Sequence, residues 1–299
     1  MSKNISLVLS GGGARGIAHI GVINVLQENG FQINAVAGTS MGAMVGGVFC
    51  SGTLPEFQKW LADADLKEAI KILDYSFSAP GFIKGEKLMK KMQDFLPFKK
   101  IEDLQLPYTA IATDILNCKE VVFNKGNISE AIRASISIPS VFTPVIKNDQ
   151  VLVDGGVMNN IPINHVAKKE KDLVIAVCVN ADVPMKKEYQ DIMAFKENSE
   201  KNEYLEKLKK MRTYIKKYIN SKKDATKNEN KIGQYELIDR SIHMLITEVS
   251  KTILTNYPPD ILIEIPRSMC STFDFLKGKK IMEIGRLATM EKLSDKGML

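Results

Sequence analysis

The sequence predicts an α/β protein with a mainly parallel central sheet and helices on both faces, in three layers, α/β/α. Apolar runs at residues 5–10 and 33–37 each end at a glycine turn, and a helical pattern follows each turn, at 14–29 and 41–50. Strands and helices that alternate in this way build parallel sheets. The composition, 44% hydrophobic and 25% charged, is that of a globular protein and excludes a disordered or collagen-like chain.

The rest of the chain continues this alternation. Two short apolar runs flank Asn148-Asp149, which predicts a hairpin turn. Apolar runs predict strands at 108–114, 120–123, 145–146, 151–153, 173–180 and 261–265. Helical patterns predict helices in much of 55–96, at 128–135, 161–170 and 234–255, and from about Lys277 onward. Neither a repeat nor a Pro/Gly/Ser-rich linker interrupts the chain, so we expect a single domain over residues 1–299.

The excess of positive charge is confined to one segment of this domain. The chain has 41 Lys and Arg against 35 Asp and Glu, and residues 185–231 hold 14 and 8 of these, so the remainder is neutral. Within this Lys-rich insertion, apolar residues recur at spacings of three or four among lysines, which predicts an amphipathic helix with a basic face. The apolar positions are Tyr204, Leu205, Leu208, Met211, Ile215 and Ile219.

Three interpretations of the Lys-rich insertion are open at this stage. It is a helix solvated on the domain, a peripheral contact with an anionic membrane surface through residues 190–220, or a helix that binds a protein partner. Nucleic-acid binding is not expected, because aromatic residues make up only 7% of the chain and no recognised binding module is present.

The cysteines and the hydropathy of the chain indicate in which cellular compartment we expect the protein. The cysteines, Cys50, Cys118, Cys178 and Cys270, lie far apart without a C-x-x-C motif, which predicts buried free thiols in a reducing compartment. The N-terminal apolar stretch is too short for a signal peptide, and no apolar window approaches the ~20 residues of a spanning helix. We expect a soluble cytoplasmic protein, with peripheral attachment to the inner face of the membrane as an option.

One strand-to-helix junction has the pattern of a catalytic serine. The residues Gly38, Thr39, Ser40, Met41 and Gly42 fit G-x-S-x-G, with an apolar strand before them and a helical run after them. A sharp turn of this kind lifts the serine side chain above the sheet edge, and glycines permit the cramped backbone. The pattern predicts Ser40 as a nucleophile, and a tight structural turn is the alternative.

A second glycine-rich turn joins the first strand to the first helix. Its residues are Gly11, Gly12, Gly13, Ala14, Arg15 and Gly16. They fit G-x-G-x-x-G, but a dinucleotide site also needs an acidic residue ~20 positions further on, and residues 31–34 read FQIN. Glycine amides at a helix N-terminus bind any anion, so this turn is a candidate site for an oxyanion or a phosphate.

The base that would activate Ser40 has several candidates in the sequence. Asp154, followed by Gly155 and Gly156, stands at the end of a predicted strand, where sites of open α/β sheets form. The histidines are His19, His165 and His243. His19 lies in the first helix and His165 in the helix predicted at 161–170, and only His243 keeps the Ser, Asp, His order of α/β-hydrolases. Each histidine is better explained as structural or solvent-facing.

Together, GGGARG at 11–16, GTSMG at 38–42 and DGG at 154–156 resemble the patatin-like phospholipases, in particular the compact bacterial members. Residues 134–144 (ASISIPSVFTP) and 159–162 (NNIP) also look like segments of that family. The resemblance covers about residues 5–180. Because these blocks occur in the family's order, the resemblance is far more specific than any single motif.

The resemblance implies a serine acyl hydrolase that cleaves fatty-acyl esters of phospholipids, lysophospholipids or related lipids. It implies a Ser-Asp dyad, with Ser40 as nucleophile, Asp154 as base and the Gly11 to Gly16 turn as oxyanion hole. Arg15 is then expected to support that turn or to meet a lipid phosphate, and a surface ion pair is its other interpretation. Neither a metal nor an organic cofactor is required. The alternatives are a phosphate or nucleotide binder and a catalytically silent lipid-binding relative.

Overall fold

The computed structural model describes residues 3–64, 74, 83–195 and 234–299. The chain divides into two compact units, Met1–Met193 with Ile246–Leu299, and Ala194–Leu245. The described part of the second unit consists of Ala194, Phe195 and the beginning of one long helix. The amphipathic helix predicted from the spacing at 204–219 lies outside the described residues, and the single domain with its Lys-rich insertion stays a prediction.

Eight strands form one mixed sheet in the first unit. They are β1 (Asn4–Leu9), β2 (Gln32–Thr39), β3 (Tyr108–Asp114), β4 (Lys119–Phe123), β5 (Val145–Lys147), β6 (Gln150–Asp154), β7 (Leu173–Ala181) and β8 (Ile261–Pro266). The order is β5-β6-β3-β2-β1-β7-β8, and β4 pairs with β3. The neighbours β3-β2-β1-β7-β8 are parallel, whereas β4, β5 and β6 pair antiparallel. The predicted mainly parallel α/β sheet is thus confirmed.

The α-helices of the described residues connect and flank these strands. They are α1 (Ala18–Glu28), α2 (Met41–Cys50), α3 (Leu54–Asp63), α4 (Glu86–Met92), α5 (Ile128–Ser135), α6 (Lys187–Ala194), α7 (Gln234–Asn256) and α8 (Gly278–Asp295). None of these described helices is long and apolar enough to cross a membrane. A short 3-10 helix, Gly13–Ile17, precedes α1, so the helix predicted from residue 14 begins with a tighter first turn.

The alternation of side chains along the strands divides the core into two faces. In β1, Leu7 and Leu9 pack into the large cluster that also contains buried residues of α1, α2 and α8. Val8 points the other way, into a smaller cluster with Val174 and Ala176 of β7, against which Leu254 of α7 packs. Because successive side chains of a strand face opposite ways, β1 is buried on both sides, as a central parallel strand should be.

Glycines let α1 and α8 cross closely on the larger face. A Cβ atom at Gly21 would lie 2.0 Å from the carbonyl oxygen of Met282, and one at Gly285 would lie 2.1 Å from that of Ala18. No side chain fits at either position, so the two helices touch backbone to backbone. This contact fixes α1, and with it the glycine-rich turn that precedes it.

Most of the predicted elements are confirmed, several to within one or two residues. The helix predicted at 161–170 is wrong: a single 3-10 turn, Ile163–His165, is followed by extended Val166. Ile161 and Ile163 are both buried in the smaller cluster, a spacing of two that suits extended chain and not a helix. Of the region 55–96, α3 and α4 are helical, and residues 65–73 and 75–82 lie outside the described part.

The prediction that all four cysteines are buried is also wrong in part. Cys50 and Cys178 are buried, but Cys118 is exposed and Cys270 is half-buried. Cys118 lies in the turn between β3 and β4 with φ of 49°. The turn follows the end of β3 and leaves the Cys118 side chain exposed, and all four thiols are free of disulfides.

Candidate active site

Ser40 occupies a strained turn between β2 and α2. Its backbone has φ 55° and ψ −124°, a conformation that L-residues rarely adopt. A Cβ atom at Gly42 would lie 2.2 Å from the carbonyl oxygen of Leu9, and one at Gly38 would lie 2.4 Å from the backbone of Gly42. Both glycines are therefore required for the turn, which has the geometry of a nucleophile elbow.

The neighbours of Ser40 hold this turn in place. The backbone N–H of Ser40 donates to Oγ of Ser135, at 2.8 Å. The hydroxyl of Thr39 donates to the carbonyl oxygen of Asn159, also at 2.8 Å. Met41, the next residue, begins α2. The side chain of Ser40 is only 4% exposed, so the strained residue is fixed on several sides.

Sheet topology brings Asp154 to Ser40. On one edge of β3, Thr39 at the end of β2 lies opposite Ile111, and Asp154 at the end of β6 lies opposite Ala112. The other edge of β3 pairs with β4 over this whole region, so β2 and β6 must share one edge. They run in opposite directions and meet end to end. The junction places the nucleophile candidate beside the carboxylate candidate, which are far apart along the chain.

The Asp154 carboxylate is buried and incompletely hydrogen-bonded. Oδ1 accepts from the Gly156 amide at 2.7 Å, whereas Oδ2 is buried without a hydrogen-bond partner among the described residues. Burial raises the pKa of Asp154 to about 6, and the Ser40 hydroxyl and the Gly156 amide oppose that rise.

The Ser40 hydroxyl is thus close enough to lower the pKa of Asp154. No hydrogen bond of ordinary length joins it to either carboxylate oxygen in the described structure. Catalytic hydrogen bonds are often long in unliganded enzymes and shorten when substrate binds. Oδ2 of Asp154 is thus the carboxylate oxygen without a competing donor among the described residues, and the Ser40 hydroxyl lies near this carboxylate.

The glycine-rich turn passes directly beside Ser40. A Cβ atom at Gly11 would lie 3.1 Å from Cβ of Ser40. The amide of Gly11 donates to the carbonyl oxygen of Asn160 at 3.1 Å, and the amide of Ala14 donates to that of Thr272 at 2.9 Å. The amides of Gly12 and Gly13 lie between those of Gly11 and Ala14. Within the described part of the chain, they have no hydrogen-bond acceptor. Two free donors next to a serine are the arrangement that stabilises an oxyanion.

Arg15 is buried under this turn. Its Nε donates to Oδ1 of Asn180 at 2.7 Å, Nη1 to the carbonyl oxygen of Cys270 at 2.9 Å, and Nη2 to Oγ1 of Thr272 at 3.3 Å. Asn180 in turn donates from Nδ2 to the carbonyl oxygen of Gly11, at 2.8 Å. Arg15 therefore supports the turn from below. It is 4% exposed, which does not fit the alternative of a surface ion pair.

Several residues at this site escaped the sequence analysis. Ser135 lies in the 134–144 segment and Asn160 in the 159–162 segment, so the resemblance marked both regions without giving these residues a role. Oδ1 of Asn160 would lie 2.5 Å from a Cβ atom at Gly11 and 3.0 Å from one at Gly156. The Asn160 side chain thus fills the space between the glycine-rich turn and the Asp154 turn. The partners of Arg15 carry no local sequence signal at all.

The histidines of the described structure take other positions. His19 is fully buried, and its Nε2 lies 2.8 Å from the carbonyl oxygen of Ser10. His165 is hydrogen-bonded to Glu120, with 2.6 Å between Nε2 and Oε2. Neither is hydrogen-bonded to Ser40. The side chain of His243 lies outside the described part.

Two further features of the described residues concern ligand binding. No group of three or more His, Cys, Asp or Glu side chains within them has the arrangement of a metal site. A cavity of about 620 Å³ is lined by Tyr108 and Thr109 at the start of β3, with Asn164 and His165 on another wall. It includes neither Ser40 nor Asp154, since it opens at the opposite end of β3.

Comparison with known proteins agrees with this geometry. The sequence model of the family described as "Patatin-like phospholipase" matches residues 7–167, which include both turns and Asp154. An "Uncharacterized NTE family protein" of Mycobacterium tuberculosis is 33% identical over 330 residues, covering 98% of this chain and 92% of that protein. "Neuropathy target esterase sws" of Drosophila melanogaster is 31% identical over 185 residues, covering 60% of this chain and 13% of that protein.

Among solved structures, VipD from Legionella pneumophila aligns with 98% of this chain and 67% of its own, with a TM-score of 0.47 and 14% identity. The sequence matches are much closer than this structural one. Because the family match spans more than half of the chain and the mycobacterial relative matches nearly all of it, the chain belongs to the patatin-like phospholipase family.

Proposed function

We propose that this protein is a serine acyl hydrolase that cleaves fatty-acyl esters of phospholipids, lysophospholipids or related lipids. The observation that supports this most is the junction of β2 and β6 on one edge of β3, beside which Ser40 and the buried Asp154 lie. Gly11 lies against Ser40, and the amides of Gly12 and Gly13, which follow it, have no acceptor among the described residues. Nucleophile, base and oxyanion donors are thus within one small volume.

In the acylation step, Oδ2 of Asp154 accepts the proton of the Ser40 hydroxyl while Oγ attacks the carbonyl carbon of the ester. The carbonyl oxygen becomes an oxyanion that accepts hydrogen bonds from the amides of Gly12 and Gly13. The tetrahedral intermediate then collapses. The bond to the leaving alcohol breaks, Asp154 returns the proton to that alcohol, and an acyl-serine remains.

Water completes the reaction. Asp154, ionised again, takes a proton from a water molecule, whose oxygen attacks the acyl-serine carbon. A second oxyanion forms at the same two amides. When it collapses, the fatty acid leaves and Ser40 regains its proton from Asp154. Each turnover thus uses one water and returns both side chains to their starting state.

The environment of Asp154 suits this role. An aspartate of ordinary pKa, ~3.9, is a weak base for a hydroxyl. Burial raises the pKa of Asp154 to about 6, so the carboxylate is both a stronger base and still mostly ionised at neutral pH. The strained backbone fixes the position of Ser40, and Arg15 supports the glycine-rich turn from below. The nucleophile and the proposed oxyanion donors therefore keep a fixed position relative to each other.

The lipid substrate and a membrane contact are further parts of the proposal. The families of the relatives, phospholipases and an esterase, agree with an acyl-ester substrate. A bilayer contact through residues 190–220 is supported by the charge and spacing of the Lys-rich insertion alone, since residues 196–233 lie outside the described part.

The direct test combines two variants with a matched control. Ser40→Ala and Asp154→Asn should each lower hydrolysis of a soluble short-chain ester and of phospholipid vesicles on the order of 10⁴-fold. Ser51→Ala removes a buried hydroxyl at the far end of α2, bonded to the Gly47 carbonyl oxygen, and should leave activity near wild type. A fluorophosphonate should label wild type and not Ser40→Ala. Retention of activity by Asp154→Asn would refute the dyad.

The same samples separate the proposed enzyme from its alternatives. A phosphate or nucleotide binder would show a rise in melting temperature with nucleotide and no fluorophosphonate labelling. A silent lipid-binding relative would bind vesicles but hydrolyse neither substrate. Either result would overturn the proposed function.

A further inference from the structure

His19 is a fully buried titratable side chain that the proposed chemistry does not use. It lies in the first turn of α1, and its Nε2 is 2.8 Å from the carbonyl oxygen of Ser10. Its Nδ1 is buried without a hydrogen-bond partner among the described residues. One ring nitrogen is thus bonded to the residue that precedes the glycine-rich turn, and the other is bonded to nothing.

These contacts fix the protonation of the ring. A carbonyl oxygen only accepts, so Nε2 must carry the hydrogen, and the unpartnered Nδ1 is the bare nitrogen of a neutral imidazole. Burial agrees with this state, because it lowers the pKa of His19 to about 4. His19 is therefore a fixed donor at neutral pH, and neither a general base for Ser40 nor a cation.

His19 forms a hydrogen bond with the carbonyl oxygen of the Ser10-Gly11 peptide group, and the N–H of the same group is also hydrogen-bonded. The Ser10 carbonyl and the Gly11 N–H belong to the same peptide plane. The Gly11 N–H donates to the carbonyl oxygen of Asn160 at 3.1 Å. The hydroxyl of Ser10 accepts from the Val179 amide at 3.0 Å. This peptide enters the turn directly before the free amides of Gly12 and Gly13, so its orientation sets theirs.

His19 also lies where the glycine-rich turn meets the nucleophile elbow. A Cβ atom at Gly16 would lie 3.6 Å from Cδ2 of His19 and 2.5 Å from Cγ of Met41. Met41 follows Ser40 in the chain. The imidazole thus lies beside Gly16 at the end of the turn, a position that Met41 also approaches.

Stability alone does not favour a histidine here. A buried nitrogen without a partner costs about 1–3 kcal/mol. Leucine has a comparable size and would remove that nitrogen, but it would leave the buried Ser10 carbonyl without its donor, so the two costs are of similar size. The one property that leucine lacks is the N–H group directed at the Ser10 carbonyl.

We propose that His19 is a positioning residue for oxyanion stabilisation: its Nε2–H orients the Ser10-Gly11 peptide, and so directs the Gly12 and Gly13 amides at the acyl oxygen beside Ser40. The inference rests on the proposed function. His19 contacts no reacting atom, and it acts through the backbone of the turn.

The test uses three substitutions of His19 that differ in whether, and where, the new side chain carries a hydrogen-bond donor. Glutamine places an N–H near the position of Nε2, asparagine places it near that of Nδ1, and leucine has none. His19→Gln should keep kcat close to wild type on a soluble short-chain ester. His19→Asn and His19→Leu should lower kcat about 10- to 100-fold, with KM nearly unchanged, because the loss falls on the transition state.

A second readout separates positioning from general damage. His19→Leu should melt within a few degrees of wild type, because the unpartnered nitrogen is gone while the Ser10 carbonyl loses its donor, and yet have the lower kcat. An acyl trifluoromethyl ketone, whose adduct with Ser40 carries an oxyanion, should lose affinity in step with kcat. His165→Leu is the control, since His165 is bonded to Glu120 and should leave kcat unchanged.

Two results would overturn the inference: wild-type kcat in both His19→Leu and His19→Asn, or a loss in His19→Gln as large as that in His19→Asn. If His19→Leu fails to fold, the comparison of kcat between His19→Gln and His19→Asn still tests the inference. Failure of the proposed function itself has a different signature: wild type would then hydrolyse neither substrate, or Ser40→Ala would be as active as wild type, whatever residue occupies position 19.

Discussion

The Gly156 amide donates to Oδ1 of Asp154 at 2.7 Å and so anchors the carboxylate by one oxygen, while Oδ2 is buried and has no hydrogen-bond partner in the part of the chain that the structure describes. This asymmetry is well suited to a base that must exchange a proton with Ser40. The anchored oxygen fixes the orientation, and the free oxygen has no competing donor. It also makes two predictions about pH, one for catalysis and one for stability.

The rate of hydrolysis should depend on the ionisation of Asp154. Because burial raises its pKa to about 6, the base is protonated below that pH and cannot accept the Ser40 proton. We expect kcat/KM on a soluble ester to be level above pH 7 and to fall about tenfold per pH unit below pH 6. The profile is measured by initial rates, with circular dichroism at each pH to show that the fold persists. A level profile down to pH 4.5 would contradict the assignment.

Whereas activity should rise with pH, the contribution of Asp154 to the stability of the fold should fall as pH rises. A carboxyl whose pKa rises from 3.8 to about 6 on folding favours the folded state when protonated. Its contribution is full below pH 4 and is lost as pH rises through 6. Asp154→Asn remains neutral throughout and its Oδ1 can still accept from Gly156.

Asp154→Asn should therefore unfold with a free energy about 2–3 kcal/mol above that of wild type at pH 7.5, and the difference should vanish near pH 4. Urea titrations at the two pH values measure this. Ser40→Ala, inactive but with Asp154 intact, is the control: its stability should fall with rising pH as that of wild type does, and at least as much, because it loses the hydroxyl that lowers the pKa of Asp154. An Asp154→Asn protein that is less stable than wild type at pH 7.5 would show that the carboxylate is stabilised in the fold.

Arg15 provides a prediction about the support of the glycine-rich turn. Its guanidinium bonds in three directions, to Asn180, Cys270 and Thr272, which an ammonium group cannot reproduce. Arg15→Lys should lower kcat about tenfold or more with a folded protein, because the turn loses its geometry. Arg286→Lys is the matched control, since Arg286 pairs with Glu28 on the surface. If kcat were the same in both variants, Arg15 would not be needed to support the glycine-rich turn for catalysis.

The local elements could be predicted from the sequence because their causes are local. Alternating and continuous apolar runs marked every strand, and β3 and α5 have the bounds that the patterns indicate. The elbow and the glycine-rich turn were readable because their glycines are required by close backbone contacts. The helix predicted at 161–170 failed because burial of Ile161 and Ile163 against β7 overrode a polar, helix-like stretch.

The assembly of the site could not be read in the same way. Asp154 was expected at a strand end, but the meeting of β2 and β6 along β3 is a matter of sheet register, which no local pattern encodes. The partners of Arg15 and the bond from His19 to Ser10 depend on tertiary packing. His19 was considered only as a base or a structural residue, since a donor to a backbone carbonyl leaves no trace in sequence.

The Lys-rich insertion gives a last prediction, which concerns where the enzyme works. Residues 185–231 hold the whole net charge of the chain, so an electrostatic contact with an anionic bilayer must depend on them. Replacing Lys209, Lys210, Lys216 and Lys217 by glutamine should weaken binding to phosphatidylserine vesicles roughly 10²-fold or more, at about 1 kcal/mol per lysine. Hydrolysis of a soluble ester should be unchanged, because the site lies in the other unit.

Matched vesicles of phosphatidylcholine alone and a salt series complete this test. Binding of wild type to the anionic vesicles should fall as salt rises, and the substituted protein should show little salt dependence. Lys251, Lys277, Lys279 and Lys296 provide a control of equal charge outside the insertion, and their replacement should leave vesicle binding close to wild type. Equal loss of vesicle binding in both quadruple variants would show that the attraction comes from net charge and not from the insertion, and the membrane contact would then have to be sought elsewhere on the protein.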